Sequence, residues 1–497
     1  MNNEETLRGI RRGIEKESLR ALPDGGLALT PHPAALGSAL THPHITTDYS
    51  ESQLELITGV HAGVDGVLGE LTEIHQAVYR ALGDERLWAS SMPCGLPADE
   101  TIPIGRYGHS NVGRAKSVYR MGLGQRYGRR MQTISGIHYN WSLPGVGTDG
   151  YLAAIRNFRR EGWLLLYLFG ASPALCESFV AGREHGLQRL SGRTLYQPHA
   201  TSLRMGPLGY QSDAQARIAV SYNCLESYAA SLQDALATPY PAYEAIGVQT
   251  PGGDYNQLST SLLQIENEFY GTIRAKRVIR PGERPLHALR ERGVEYIEVR
   301  LMDLDPFEPV GIGADAIRVL DAFLLHCLHG DSPADTPAEI AANARNQHRV
   351  AARGREPGLV LEHWRRGELP LADWAGEILA GCAVQAAALD AAHGGSAYRD
   401  ALARVGRRLA EPALCPSARV LAAMARDFHD SHVAFIRHRS DAARAALLAL
   451  PFPDALQRRF ERLAADSRAE QARIEAADTL PFEEFRRHYV APERMAV

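Results

Sequence analysis

The feature that most constrains this chain is a change of rhythm near Pro309. Before it, short segments rich in β-branched and aromatic residues alternate with a few amphipathic stretches. After it, strand patterns almost vanish, and Ala-, Leu-, Arg- and Glu-rich segments with helical spacing take over at 314–330, about 373–392 and 416–476. Strands followed by helices, without a regular strand–helix–strand alternation, predict an α+β fold on an antiparallel sheet. The 497 residues hold no internal repeat and no Gly/Ser linker. The expectation is therefore a catalytic sheet portion with packed helices over 1–310 and a helical portion over 311–497, sharing one body.

The expected strands are 7–22, closed by the turn Asp24-Gly25-Gly26, then 44–60, 131–144, 259–274 and 293–306. Segment 200–210 reads as strand or loop. Helices are expected over 66–83, 150–170 and 213–239, the first two ending at glycines and the last two followed by prolines.

The most informative side chains on these strands are acids. Glu15 and Glu17 lie two apart, so a strand points both to one face; the same holds for Glu298 and Arg300, and for Glu266 and Glu268. Glu51 and Glu55 share a parity within 44–60, and Asp48 lies three before Glu51. Carboxylates at i and i+2 sit roughly 7 Å apart, and at an effective dielectric of about 20 they repel by about 2 kcal/mol. Such a face is either solvated and paired with Arg and Lys, or it holds divalent metal, for which hard oxygen ligands suit Mg²⁺ or Mn²⁺. His138, on another strand, could join that set or be a satisfied core histidine.

Other function classes find little support. Lys plus Arg number 54 against 58 Asp plus Glu, a net −4, without the basic excess that drives nucleic-acid binding. The short run Arg274, Lys276, Arg277, Arg280 is either a solvated strand end or a phosphate-facing cluster. No signal-peptide pattern opens the chain, and WLLLYLFG (163–170) is too short to span a bilayer. A cytoplasmic protein with no membrane, nucleic-acid or obligate protein partner is expected. The six cysteines (94, 176, 224, 327, 382, 415) are scattered without a CxxC pair, which predicts reduced structural thiols. There is no P-loop, and GLGQRYG (122–128) has the wrong spacing for a dinucleotide fingerprint. Any bound ATP would have its phosphates held by metals and arginines on a sheet.

Seven blocks in order, GIEKESLR (13–20), ALGSALTHPHITTDYSESQLELIT (35–58), SMPCGLP (91–97), MQTISGIHYNWSLP (131–144), TSLRMGPLGY (201–210), LQIENEFYGTIRAKRV (263–278) and GVEYIEVRLMDLDPF (293–307), resemble the proteobacterial glutamate–cysteine ligases. The resemblance implies a glutamine-synthetase-like funnel lined by an antiparallel sheet, and ATP- and Mg²⁺-dependent joining of L-glutamate to L-cysteine through γ-glutamyl phosphate, the first step of glutathione synthesis. It implies Glu15, Glu17, Asp48, Glu55, His138 and Glu298 as metal ligands, Arg300 at the transferred phosphoryl group and Gln132 on the glutamate. It implies Tyr49, Tyr119, Leu123, Arg204, Tyr210 and Tyr270 as the cysteine pocket, with Tyr49 standing where phenylalanine is common. Two other readings stay open: a related carboxylate–amine ligase with another acceptor, and a non-catalytic homologue that binds ATP or glutathione.

Overall fold

Eleven residues that alternate in destination organise the molecule. Strand β1 (Arg11–Ala21) lies at the centre of an antiparallel sheet. Its companions are β2 (Ile45–Thr47), β3 (Gln53–Ile57), β4 (Ile137–Ser142), β5 (Ile273–Lys276) and β6 (Tyr296–Met302). The order is β2–β3–β1–β4–β6–β5, and the two-residue strand Arg86–Leu87 pairs with the end of β1. This computed structural model describes residues 3–209, 213–216, 218–280 and 282–491.

The pleat sorts side chains to two faces. Ile14 of β1, Leu54 and Leu56 of β3, Tyr139 and Trp141 of β4, and Ile297 and Val299 of β6 are buried against a helical layer. That layer includes α1 (Val64–Ala81), α3 (Thr148–Glu161), α4 (Trp163–Phe169) and α5 (Ala314–His329). Helix α1 turns Val67, Leu71, Ile74 and Val78 inward at spacings of four, three and four, and all are fully buried. Each such side chain contributes about 1.5–3 kcal/mol on leaving water.

One polar cluster sits within this apolar layer and ties its ends together. Arg12 of β1 donates from Nε and Nη2 to Asp321 Oδ2 at 2.8 and 2.6 Å, and Tyr139 donates to Asp321 Oδ1 at 2.7 Å. Tyr398, on α8 (Ala397–Ala410), completes the group through Arg12 Nη2 at 3.0 Å. Residues more than 300 positions apart are thus joined by a fully buried ion pair. Helix α7 (Leu371–His393) is long and apolar enough to cross a membrane by length and composition, yet it turns Trp374, Ile378, Cys382 and Leu389 into the core beside α5 and α8.

Several elements differ from the sequence expectation. β1 begins at Arg11, because Glu4–Arg8 form a helical turn capped by the Asn3 side chain. Segment 44–60 is a hairpin, not one strand. Of 259–274 only the last two residues are strand, and Glu266–Glu268 form a 3₁₀ turn. Segment 150–170 is two helices meeting at Gly162. Within 213–239 the long helix is confined to Leu225–Ala237. Past Pro309 a single small hairpin, Val360–His363 with Gly367–Pro370, interrupts the described helices.

Candidate active site

The face of the sheet opposite the helical layer is polar. Across β1 and its neighbours the register sets Glu17 opposite Glu55 and Glu15 opposite His138. Glu298 stands opposite Asn140 on one side and Arg274 on the other. Directly opposed residues share a face, so five strands deliver their acids and bases to one surface. This surface floors a cavity of about 640 Å³. Its walls come from α2 (Asn111–Tyr127), α6 (Pro337–Arg353) and α9 (Phe482–Val490), through Lys116, Tyr119, Leu123, Gln347, His348 and Tyr489.

Thirteen of the fourteen site residues expected from the sequence line this cavity: Glu15, Glu17, Asp48, Tyr49, Glu55, Tyr119, Leu123, Gln132, His138, Arg204, Tyr270, Glu298 and Arg300. Tyr210 lies outside the described residues. The cavity does not collect every acid of the strand pattern. Glu51 sits in the turn of the β2–β3 hairpin and accepts the backbone N–H groups of His32 and Arg106 at 2.9 and 2.8 Å. Glu266 is buried against Arg284, and Glu268 takes Arg126 and Tyr127 at 2.9 and 2.6 Å. A 3₁₀ turn advances about 120° per residue, so residues two apart no longer share a face.

His138 lies among the acids. Its Nδ1 is 3.2 Å from Glu15 Oε2 and 4.0 Å from Glu298 Oε1, while its Nε2 is 3.5 Å from Glu17 Oε1. Asn140 donates to Glu15 Oε1 at 2.9 Å, and the Gly136 N–H donates to Glu17 Oε2 at 2.7 Å. Glu298 accepts from Arg300 Nη1 at 2.9 Å and from Lys276 Nζ at 3.2 Å. Gln132 donates to the Tyr270 hydroxyl at 2.6 Å. The Tyr49 hydroxyl is buried with no hydrogen-bond partner among the described residues.

For Glu15, Glu17, Glu55 and Glu298 the largest influence on ionisation is burial, which pushes a carboxyl up. Around Glu298 it is overcome by Lys276, Arg300 and His138, which hold that carboxyl well below its ordinary range. Glu15 is also held low, with burial and Glu298 opposing the His138 hydrogen bond and Lys276. Glu17 is pushed up to about 8 by burial and by Asp48, against the pull of Arg204 and Arg300. Glu55 is pushed well up by burial and by Glu15, Asp48 and Glu17. Burial and Arg300 push His138 down, which favours the neutral imidazole that metals bind. The protein's own cations thus neutralise one end of the acidic floor and leave Glu17 and Glu55 undercompensated.

This donor chemistry fits divalent cations. Glu15, His138 and Glu298 form one group, and Glu17, Glu55 and His138 another, each with donor atoms within 4.8 Å of one another. Oxygen-rich sets with a single imidazole suit Mg²⁺ or Mn²⁺. The contrast with Glu283, His287 and Glu291, equally close together, is instructive. There Arg292 already donates to both oxygens of Glu283 at 2.6 and 2.8 Å, so the charge is satisfied within the protein.

Sequence reasoning missed some of the site. Asn140 is two beyond His138 on the same strand, and the period-two rule identifies it. Of the basic run, Arg274 and Lys276 line the cavity, whereas Arg280 lies beyond the end of β5 at Lys276 and is exposed beside Glu291. Lys116, Gln347, His348 and Tyr489 reach the cavity from helices far apart in the chain, and no local pattern marks them. All six cysteines are free thiols and five are buried, including Cys94.

The sequence profile described as glutamate–cysteine ligase matches residues 1–147 and 145–350. The glutamate–cysteine ligase of Alcanivorax borkumensis is 48% identical over 97% of this chain and 96% of its own length. That of Azotobacter vinelandii is 50% identical over 98% and 96%. A crystal structure of the Francisella tularensis glutamate–cysteine ligase in complex with AMP has a TM-score of 0.93 at 35% identity, covering 98% of each chain. A bifunctional glutathione synthetase from Pasteurella multocida shares the fold, with a TM-score of 0.73 at 24% identity over 93% of this chain and 57% of its own. Similarity of this extent, in sequence and in backbone alike, places the chain in the glutamate–cysteine ligase family.

Proposed function

We propose that this chain is an ATP-dependent ligase that joins the side-chain carboxylate of L-glutamate to the amine of L-cysteine, through a γ-glutamyl phosphate. The observation that carries the reading is the concentration of Glu15, Glu17, Asp48, Glu55, His138, Glu298 and Arg300 around one cavity on the polar side of the sheet, a charge pattern suited to phosphoryl transfer. In this reading Glu15, Glu17, Asp48, Glu55, His138 and Glu298 would hold Mg²⁺, or Mn²⁺. The ions, when bound, neutralise charge on the ATP phosphates.

The remaining roles belong to the chain itself. Arg300 keeps its guanidinium charged beside Glu298 and faces the cavity, placed to stabilise the phosphoryl group in transfer. Gln132, steadied by the Tyr270 hydroxyl, holds the glutamate. Arg204 pairs with the carboxylate of the acceptor, for which its planar fork suits two oxygens. Tyr49, Tyr119, Leu123 and Tyr270, with Tyr210, shape the acceptor pocket. The glutamate side-chain oxygen attacks the γ-phosphorus and ADP leaves; the neutral cysteine amine then attacks the acyl carbon, phosphate departs with one oxygen from glutamate, and the nitrogen loses its extra proton to that phosphate or to solvent. The partners are these small molecules, and the setting is cytoplasmic, in keeping with six reduced cysteines. We assign residues 1–310 and 311–497 to one catalytic unit, a reading supported by the Arg12–Asp321 pair and by the cavity walls from α6 and α9.

Glutamate carrying ¹⁸O in its side-chain carboxylate tests the intermediate. Phosphate released during turnover with cysteine should contain one ¹⁸O per molecule. Unlabelled phosphate at full turnover would exclude an acyl phosphate.

A further inference from the structure

Arg204 is 2% exposed and reaches the cavity from a 3₁₀ turn, Leu203–Met205, yet a long cationic side chain does not hold one orientation unaided. What holds it is a second, fully internal polar group behind the pocket. Asp303 directly follows β6, the strand that carries Glu298 and Arg300, and is 4% exposed. Its Oδ2 accepts from the Ala171 N–H at 2.9 Å and the Ser172 hydroxyl at 2.6 Å. Its Oδ1 accepts from the Ser202 hydroxyl at 2.9 Å and lies 3.7 Å from Arg204 Nη1. Ser202 is also the N-cap of the turn that bears Arg204, its hydroxyl oxygen accepting from the Met205 N–H at 3.3 Å.

Two further contacts complete the cradle. Arg204 Nη2 donates to the Arg300 carbonyl at 2.8 Å. The same nitrogen lies where only a glycine leaves room, because a Cβ on Gly136 would come within 2.0 Å of it. The guanidinium is thus fixed by a carboxylate, a carbonyl and a bare backbone. Asp303 holds both the side chain and, through Ser202, the turn from which it springs.

Resting on the reading of Arg204 as the partner of the acceptor's carboxylate, we propose that Asp303 is a positioning residue that sets acceptor specificity: it aims the Arg204 fork at an amino-acid carboxylate and so selects cysteine over amines that lack one. The pre-organised fork loses little freedom when the acceptor binds.

The test compares cysteine with cysteamine, which carries the same amine and thiol without the carboxylate, in the full-length enzyme with ATP, Mg²⁺ and glutamate. In Asp303→Asn the cysteine-to-cysteamine ratio of kcat/KM should fall about tenfold, chiefly through KM for cysteine. Arg204→Ala should lower the same ratio by at least as much, and adding Asp303→Asn to it should lower it no further. A ratio unchanged in Asp303→Asn but lowered in Arg204→Ala would overturn the positioning role alone. A ratio unchanged in Arg204→Ala would overturn the Arg204 reading and the positioning role with it. Because the readout is a ratio within one preparation, partial loss of folded enzyme cancels. Should Asp303→Asn yield no folded protein, Ser172→Ala, which deletes one hydrogen bond to Asp303, should lower the ratio about threefold, and an unchanged ratio there would likewise overturn the role.

Discussion

The two faces of one sheet are built from the same strands on opposite principles. One face buries Ile14, Leu56, Tyr139 and Val299 under helices, and the buried ion pair of Arg12 with Asp321 there is completed by two tyrosine hydroxyls. The other carries Glu15, Glu17, Glu55 and Glu298 one residue out of phase with that core, and leaves part of its charge undercompensated. The first face is closed by apolar packing, whereas the charge of the second suits ions and anions that come from outside. Stability should therefore be governed by the helical face and turnover by the cavity face, and substitutions one position apart in sequence should separate the two.

The largest expected effect is on the cavity face. Glu298→Gln removes one carboxylate charge beside Arg300 and His138 while keeping its volume. Steady-state ADP release should fall about a thousandfold or more, with the thermal midpoint within a few degrees of the parent. Near-normal turnover would remove Glu298 from the reacting site and blur the contrast between the faces.

On the helical face, Asp321→Ala strands the buried Arg12 guanidinium. Denaturant unfolding should show a loss of about 3–5 kcal/mol, while kcat and KM, corrected for folded fraction, stay within about twofold of the parent. A stable Asp321→Ala protein with lost activity would mean that this cluster serves the site.

The smallest effect should come from Lys16, which lies between the two acids of β1 but points the other way. Its ammonium is buried, 2.9 Å from His75 Nε2, and burial lowers its pKa to about 7. An unfolded lysine keeps its proton to about pH 10.4, so between these values the unfolded chain binds the extra proton. Stability from this group therefore rises with pH through that window, and the penalty for a charged Lys16 is greatest below about pH 7. Relative to the parent, Lys16→Met should gain about 2 kcal/mol on going from pH 9 to pH 6.5. A pH-independent difference in chemical unfolding would contradict the buried-ammonium account.

Much of this comparison was legible in the sequence, and the limits have physical causes. Strand alternation is strict, so Glu15 with Glu17 and Glu298 with Arg300 could be assigned to one face without a structure. The same rule failed for Glu51 and Glu266, because a hairpin turn and a 3₁₀ turn reset the direction of side chains. Neither break is announced by residues such as Asn-Gly; the first runs through Tyr49-Ser50-Glu51-Ser52, an unremarkable polar stretch. The antiparallel class followed from the missing strand–helix alternation, but the strand order did not, since pairing of β6 with β4 depends on contacts about 160 residues apart. Arg12 and Lys16 are buried by tertiary packing that no local pattern announces. The cavity walls from α6 and α9 were beyond reach for the same reason.

The most direct test of the central claim is coupled ADP release by the purified full-length chain with ATP, Mg²⁺ and glutamate, comparing cysteine with 2-aminobutyrate, alanine and no acceptor. The account predicts the highest kcat/KM with cysteine and a product with the mass of γ-glutamylcysteine. ATP binding without acceptor-dependent turnover, or turnover strongest with an amine other than cysteine, would contradict it.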